Sequence, residues 1–131
     1  MPRGVEEVAA DLRARAAARA GPPKSARERI VEIDRFIDEM AAKYKVRPEI
    51  IKRIIKQESG GDPNVAVGRD GEIGLMQLMP QTVRDYNVKN PYDPKQNIEG
   101  GVHKFADLLR DKKGNEAAAL TAYNGSTAYL K

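Results

Sequence analysis

The sequence predicts an all-α domain of five to seven helices, with little or no sheet. Three observations carry the helical class. Apolar residues recur at spacings of three and four over long stretches. Helix start and stop residues punctuate those stretches where helices should begin and end. No segment shows sustained alternation with turn chemistry, so no strand is expected. With 131 residues, the chain suits one domain and a short appendage. That length buries a core without needing disulfides or metals.

The elements follow in order. Residues 1–24 form an Ala/Arg-rich segment in which Val5, Val8 and Leu12 fall at helical spacing, before Gly21-Pro22-Pro23 breaks it. This segment reads as a loosely packed helix or as a docking arm. Ser25-Ala26-Arg27-Glu28 fits a capping box. Behind it Ile30, Ile33, Ile37, Met40 and Tyr44 define an apolar stripe, with Phe36 beside them. Pro48 suits a first helical position. Ile50, Ile51, Ile54 and Ile55 then mark a second strong helix that ends near Gly60-Gly61. Residues 60–73 crowd Gly, Pro, Asp and Asn without a helical period and read as loop. Gly74 to Pro80 is expected to form a short apolar helical turn, which Gln81 to Asn87 could continue as a helix. Asp93 and Pro94 suit N-cap and first helical positions. Ile98, Val102, Phe105 and Leu109 carry the next helix, which Gly114 ends. Asn115 can cap a last helix from Glu116 to about Tyr123, with Asn124-Gly125 as a left-handed stop. Residues 25–131 thus hold the main domain.

Composition excludes several function classes. There is no cysteine and only one histidine. That removes thiolate metal sites, a cysteine nucleophile, multi-histidine metal sites and most serine–histidine triads. The net charge is +4, but residues 1–29 carry most of it, with seven basic and four acidic side chains. The main domain is nearly balanced, so no nucleic-acid partner is expected. No apolar run reaches the roughly 20 residues of a membrane span. The first segment lacks the apolar core of a signal peptide.

Glu58 is the strongest candidate for chemistry. It lies four residues after Ile54 and three after Ile55, on the face that should meet the core. A carboxyl there is desolvated, which raises its pKa and suits a proton donor near neutral pH. The same position also suits an ordinary helix-end glutamate paired with Lys52 or Arg53. Gln77 is the lone polar side chain in an apolar turn. Its amide needs partners, which a hydroxylated, acetamido-bearing ligand or a backbone carbonyl would supply. Met76 and Met79 suit core filling. Tyr123 offers a flat face and a hydroxyl handle. Asn124 suits a cap as well as a contact, and His103 reads as structural or solvated.

Together these segments form an ordered constellation. It runs from Glu58-Ser59-Gly60-Gly61-Asp62-Pro63-Asn64 through Gly74-Leu75-Met76-Gln77-Leu78-Met79-Pro80 and Asn90-Pro91-Tyr92-Asp93-Pro94 with Asn97-Ile98 to Ala122-Tyr123-Asn124-Gly125. Over roughly residues 30–126 it resembles the catalytic domain of the soluble lytic transglycosylases, glycoside hydrolase family 23. The resemblance implies a lysozyme-like fold and a substrate of peptidoglycan glycan strands. It implies Glu58 as catalytic acid/base, and Ser59, Met76, Gln77, Tyr123 and Asn124 as residues supporting or lining the sugar site. Asp93, Pro94, Asn97 and Ile98 match a structural motif. No cofactor or metal is implied. The expected reaction leaves a 1,6-anhydromuramic end, and the expected site of action is the cell envelope. The export route is open, and a phage or secretion assembly could be reached through residues 1–24.

The sequence departs from the family pattern in three places. The loop from Asn64 to Gly74 is one residue longer, and Val67 or Gly68 stands where a substrate-contacting serine is often found. The chain ends soon after the Ala-Tyr-Asn motif, where many relatives continue with a helix carrying another tyrosine. Tyr129 could substitute for it in part. Gly-Ser replaces the commoner Ala-Gly after the motif. Two alternatives stay open. One is a muramidase on the same fold, with Asp62, Asp70 or Glu72 positioning water. The other is a non-catalytic peptidoglycan-binding module.

Overall fold

The computed structural model describes residues 4–21, 24–64 and 67–125. Among them are six helices: α1 (Val5–Ala20), α2 (Ala26–Tyr44), α3 (Pro48–Ser59), α4 (Pro80–Asp85), α5 (Pro94–Asp111) and α6 (Glu116–Gly125). No strand occurs among the described residues, only one isolated bridge between Ile73 and Leu78.

The local signals are realised at most helix ends. Ser25 accepts the Glu28 N–H, and the Glu28 carboxylate accepts the Ser25 N–H, so both halves of the capping box form. Pro48, Pro80 and Pro94 each occupy a first helical turn, where the missing N–H costs nothing. Asp93 caps α5 by accepting the Lys95 N–H at 3.2 Å. Asn115 caps α6 by accepting the Ala118 N–H at 3.1 Å. Gly60, at φ +68°, ends α3 in the left-handed region, which its missing Cβ makes accessible.

The core joins all of α2, α3, α5 and α6. Ile37, Met40, Ile51, Ile54, Ile98 and Phe105 are buried together with the Leu75–Leu78 segment. Helix α5 is central and packs against α2, α4 and α6. Gly100 and Gly101 lie on its buried face. A Cβ on Gly101 would stand 2.4 Å from the Met76 sulfur, and one on Gly100 would stand 2.5 Å from Val88. These two glycines let the 73–78 segment and the chain after α4 come close to the α5 backbone.

Three expectations need correction. Residues 74–80 do not form a helical turn. Instead, Ile73 and Leu78 exchange two backbone hydrogen bonds of 3.0 and 2.9 Å, closing a tight loop. Gly74 (φ +79°) and Gln77 (φ +49°) both take left-handed conformations inside it, which a right-handed helical turn forbids. Ile30, expected on the core stripe of α2, is 61% exposed. It lies on the first turns, where it lines an open apolar cleft of about 440 Å³ with Ile33, Ile37, Ile55 and Leu75. Helix α6 extends to Gly125, two residues beyond the expected end at Tyr123. An Asn-Gly pair permits a left-handed stop but does not compel one.

Asn97, on the first turn of α5, organises the loops. It is fully buried. Its Nδ2 donates to the Ile73 carbonyl at 2.8 Å and the Pro91 carbonyl at 2.9 Å. Its Oδ1 accepts the Met76 N–H at 2.8 Å. One amide thus ties the 73–78 loop and the 90–93 turn to α5. The 90–93 turn also meets α1. Asn90 donates its side-chain amide to the Leu12 carbonyl at 2.7 Å, Arg13 lies over the Tyr92 ring, and Arg19 pairs with Asp93 at 3.4 Å.

Asn97→Ala should leave two buried carbonyls and one N–H without partners. Each such loss costs roughly 1–3 kcal/mol. A stability loss of about 3 kcal/mol or more is expected, read as a lower urea midpoint at unchanged slope. A second prediction concerns pH. Glu99 accepts hydrogen bonds from Lys43 at 2.6 Å and the Tyr44 hydroxyl at 2.8 Å. These hold its carboxyl below the usual range, Lys43 acting most. The folded pKa is therefore depressed. Its contribution is present above the unfolded value of about 4.3 and is lost as pH falls through the folded value. In Glu99→Gln the fall of Tm on acidification should be shallower than in the parent.

Candidate active site

Glu58 occupies the last turn of α3, one turn beyond the buried Ile54 and Ile55. It is half-buried. Position on an apolar helix face sets this environment. The left-handed Gly60 and Gly61 then turn the chain away immediately after it.

Ser59, the next residue, turns its hydroxyl to the backbone. It donates to the Ile55 carbonyl at 3.0 Å and accepts the Gly61 N–H at 3.2 Å. It braces the exit from the helix that carries Glu58.

The 73–78 loop and α6 meet at Met76. Met76 is fully buried, and the Tyr123 hydroxyl donates to its carbonyl at 2.8 Å. The Tyr123 ring also packs against Phe105, with centroids 6.3 Å apart. Gln77 is 8% exposed. Its amide donates to the Gly74 carbonyl at 2.8 Å, so a backbone carbonyl is one of its partners. This bond closes the turn in which Gln77 itself is left-handed. The structure thus ties Tyr123 to the 73–78 loop at Met76, while Gln77 is bonded within that loop to Gly74. Asn124 follows Tyr123 on α6 and is half-buried.

Two carboxylates of the 60–73 loop accept backbone N–H groups of the same loop. Asp62 accepts the Asn64 N–H at 2.9 Å. Glu72 accepts the Asp70 N–H at 2.7 Å, and its carboxyl lies where a Cβ on Gly68 would fall. Val67 and Asp70 are exposed. Tyr129 lies outside the described residues. His103 stacks on Tyr44 at 4.9 Å and meets the edge of Tyr86 at 4.8 Å. Burial and the Asp107 carboxylate push the Tyr86 hydroxyl up to about 12.

Sequence reasoning missed Lys104. Its Nζ lies 5.0 Å from the Tyr123 ring centroid and donates to the Thr82 hydroxyl at 3.4 Å. Burial pushes this ammonium below its usual range, and the charge of Glu58 works against that shift. A signal was available. Lys104 falls seven residues after Asn97 and three after Gly101, on the buried face of α5. A lysine on such a face has a reason to be there.

Residues 35–131 match the model of the transglycosylase SLT domain family. The chain belongs to that family. It is 41% identical over 87 residues to a transglycosylase of Enterobacteria phage PRD1, covering 66% of this chain and 32% of that protein. It is 31% identical over 126 residues to the membrane-bound lytic murein transglycosylase E of Buchnera aphidicola, covering 82% and 57%. It is 32% identical over 113 residues to an endo-type membrane-bound lytic murein transglycosylase A of Klebsiella pneumoniae, covering 72% and 55%. The chain spans between a third and just over half the length of these relatives. Within the described residues, no helix is long and apolar enough to cross a membrane.

Tyr123→Phe should remove the bond to the Met76 carbonyl while keeping the ring. A loss of about 1 kcal/mol is expected, read by urea unfolding. A neutral result would mean that the Met76 carbonyl finds another donor.

Proposed function

We propose that this domain is a lytic transglycosylase of peptidoglycan glycan strands. It cleaves the β-1,4 bond between N-acetylmuramic acid and N-acetylglucosamine, with Glu58 as its single acid/base. The observation that carries the reading is the half-buried Glu58 on the core face of α3, within a chain that belongs to the transglycosylase SLT domain family. The names of the phage, Buchnera and Klebsiella relatives support the same reaction class.

The chemistry follows from one carboxyl. Most glycosidases use two, an acid on the leaving oxygen and a base or nucleophile at the anomeric carbon. In this reading protonated Glu58 donates its proton to the glycosidic oxygen. The C–O bond breaks, and the muramic acetamido group stabilises the cationic anomeric centre. The Glu58 carboxylate then takes the proton of the sugar's own 6-hydroxyl, whose oxygen closes on the anomeric carbon. The product is a 1,6-anhydromuramic end, and no water is consumed. Attack within one sugar gains a large effective molarity over attack by solvent.

The remaining residues fit supporting roles. Met76 and Gln77 belong to the loop proposed to line the sugar groove, and Tyr123 fixes that loop from α6. Ser59 holds the exit of α3, and Asn124 extends the site at the end of α6. The reading places the action at the cell envelope. It divides the chain into an N-terminal segment, 1–24, and a catalytic domain, 25–131. The first segment is proposed to dock the domain onto a larger phage or secretion assembly.

The test is mass spectrometry of purified peptidoglycan digested by the parent and by Glu58→Gln. Anhydromuropeptides are expected from the parent. A rate loss of at least about a hundredfold is expected from the variant. Reducing-end products would instead identify a muramidase. Binding without products from either protein would identify a wall-binding module.

A further inference from the structure

We propose that the first half of α2 is a self-association surface. A second copy of this chain seats the same helix on it, antiparallel about a two-fold axis, and Ile30 of each copy enters the apolar cleft of the other. The inference concerns residues that the catalytic reading does not use.

The first three turns of α2 stand clear of the core. The buried residues of this helix are Ile37, Met40 and Ala41. Before them Ile30 is 61% exposed and Val31 is 50% exposed. Large apolar side chains left in water beside an open apolar cleft mark a contact surface. Ile33, Ile37, Ile55 and Leu75 line that cleft. A projecting isoleucine and a cleft that can receive one thus lie side by side on the same molecule. That pairing is self-complementary, as a two-fold contact requires. The capping box at Ser25 already fixes the helix start, so little ordering remains to oppose association.

The charges select the occupant. Ala26, Arg29, Ile30, Ile33, Asp34 and Ile37 recur at three and four and share the face of α2 that borders the cleft. In an antiparallel pair of identical helices, facing residue numbers have a constant sum. An axis centred between Ile30 and Ile33 sets Ile30 against Ile33 of the second copy. The same axis sets Arg29 against Asp34 of the second copy. Both charged residues are exposed, and neither has an ion-pair partner among the described residues. A parallel pair in register would set like charges together at both positions. Lys52 and Lys56 edge the cleft from α3. The helix that enters is net acidic, with five carboxylates and three guanidiniums over residues 26–39. The contact spans about 18 Å of helix. It therefore belongs at the small end of stable interfaces, which bury roughly 800 Å² per partner, and a dissociation constant in the micromolar range is expected.

The test is sedimentation equilibrium of the full chain over a micromolar-to-millimolar concentration series. The mass should rise with concentration from 14.5 kDa toward twice that value and stop there. Ile30→Asp changes an exposed position. It should unfold thermally like the dilute parent and associate at least about tenfold more weakly. Arg29→Asp alone, or Asp34→Arg alone, sets like charges together at both symmetric sites. Each should weaken association about fivefold. Arg29→Asp combined with Asp34→Arg restores opposite charges and should return the parent value. Should Ile30→Asp fail to fold, the three charge variants decide alone. A parent that stays monomeric throughout overturns the proposal and leaves the cleft to a different partner. A dimer that survives Ile30→Asp overturns it too, as does a double charge variant no better than the single ones. Growth beyond the dimer overturns the two-fold arrangement in favour of a head-to-tail contact.

Discussion

The side-chain amide of Asn97 is the interaction on which the arrangement of the domain depends. It is one residue with three hydrogen bonds, and each partner lies on a different stretch of backbone. Buried peptide groups must be paired, and loops have few peptide groups of their own to pair with. The 73–78 loop solves part of this with the Ile73–Leu78 exchange. Asn97 supplies much of the rest, and it does so from the rigid first turn of the central helix. The loop is thereby fixed to α5, as is the 90–93 turn that receives α1.

The geometry around that amide constrains its neighbours. A Cβ on Gly74 would fall 2.2 Å from the Asn97 nitrogen, and its φ is +79°. Glycine is thus required there twice over, by space and by backbone conformation. Gly101 must lack a side chain because Met76 occupies the space. Met76 in turn takes the Tyr123 hydroxyl on its carbonyl. A continuous chain of contacts therefore runs from Asn97 through Met76 to α6. The 73–78 loop is irregular in conformation yet tied at several points, as the loop proposed to line the sugar groove requires.

Much of the fold was legible because it rests on local rules. The isoleucine stripes of α2 and α3, the capping box at Ser25, the Asp93-Pro94 start and the Asn115 cap each act within a few residues of chain. The 74–80 segment was misread for the opposite reason. Its apolar composition suits a helix, and only the demands of Asn97 and the α5 glycines make a left-handed loop the better arrangement. Ile30 was misplaced because periodicity reports which face of a helix is apolar. It does not report how far along the helix its partners extend.

The candidate site divides in the same way. Glu58 announced itself by standing on an apolar face, and the ordered motifs marked the segments that surround it. What Gln77 would do with its amide stayed open between ligand and backbone, and the fold supplies a backbone partner at Gly74. Lys104 stayed hidden because its meaning lies in Thr82 and Tyr123, which are distant in sequence. The sequence by itself determined the helical class, most helix ends, the family pattern and the acidic residue at its centre, since these depend on local spacing and residue type. Only the tertiary structure decided how the 73–78 loop is held and that Lys104 stands against Thr82 and Tyr123. Hydrogen bonds and fields act through space, and the chain reveals its neighbours in space only once it has folded.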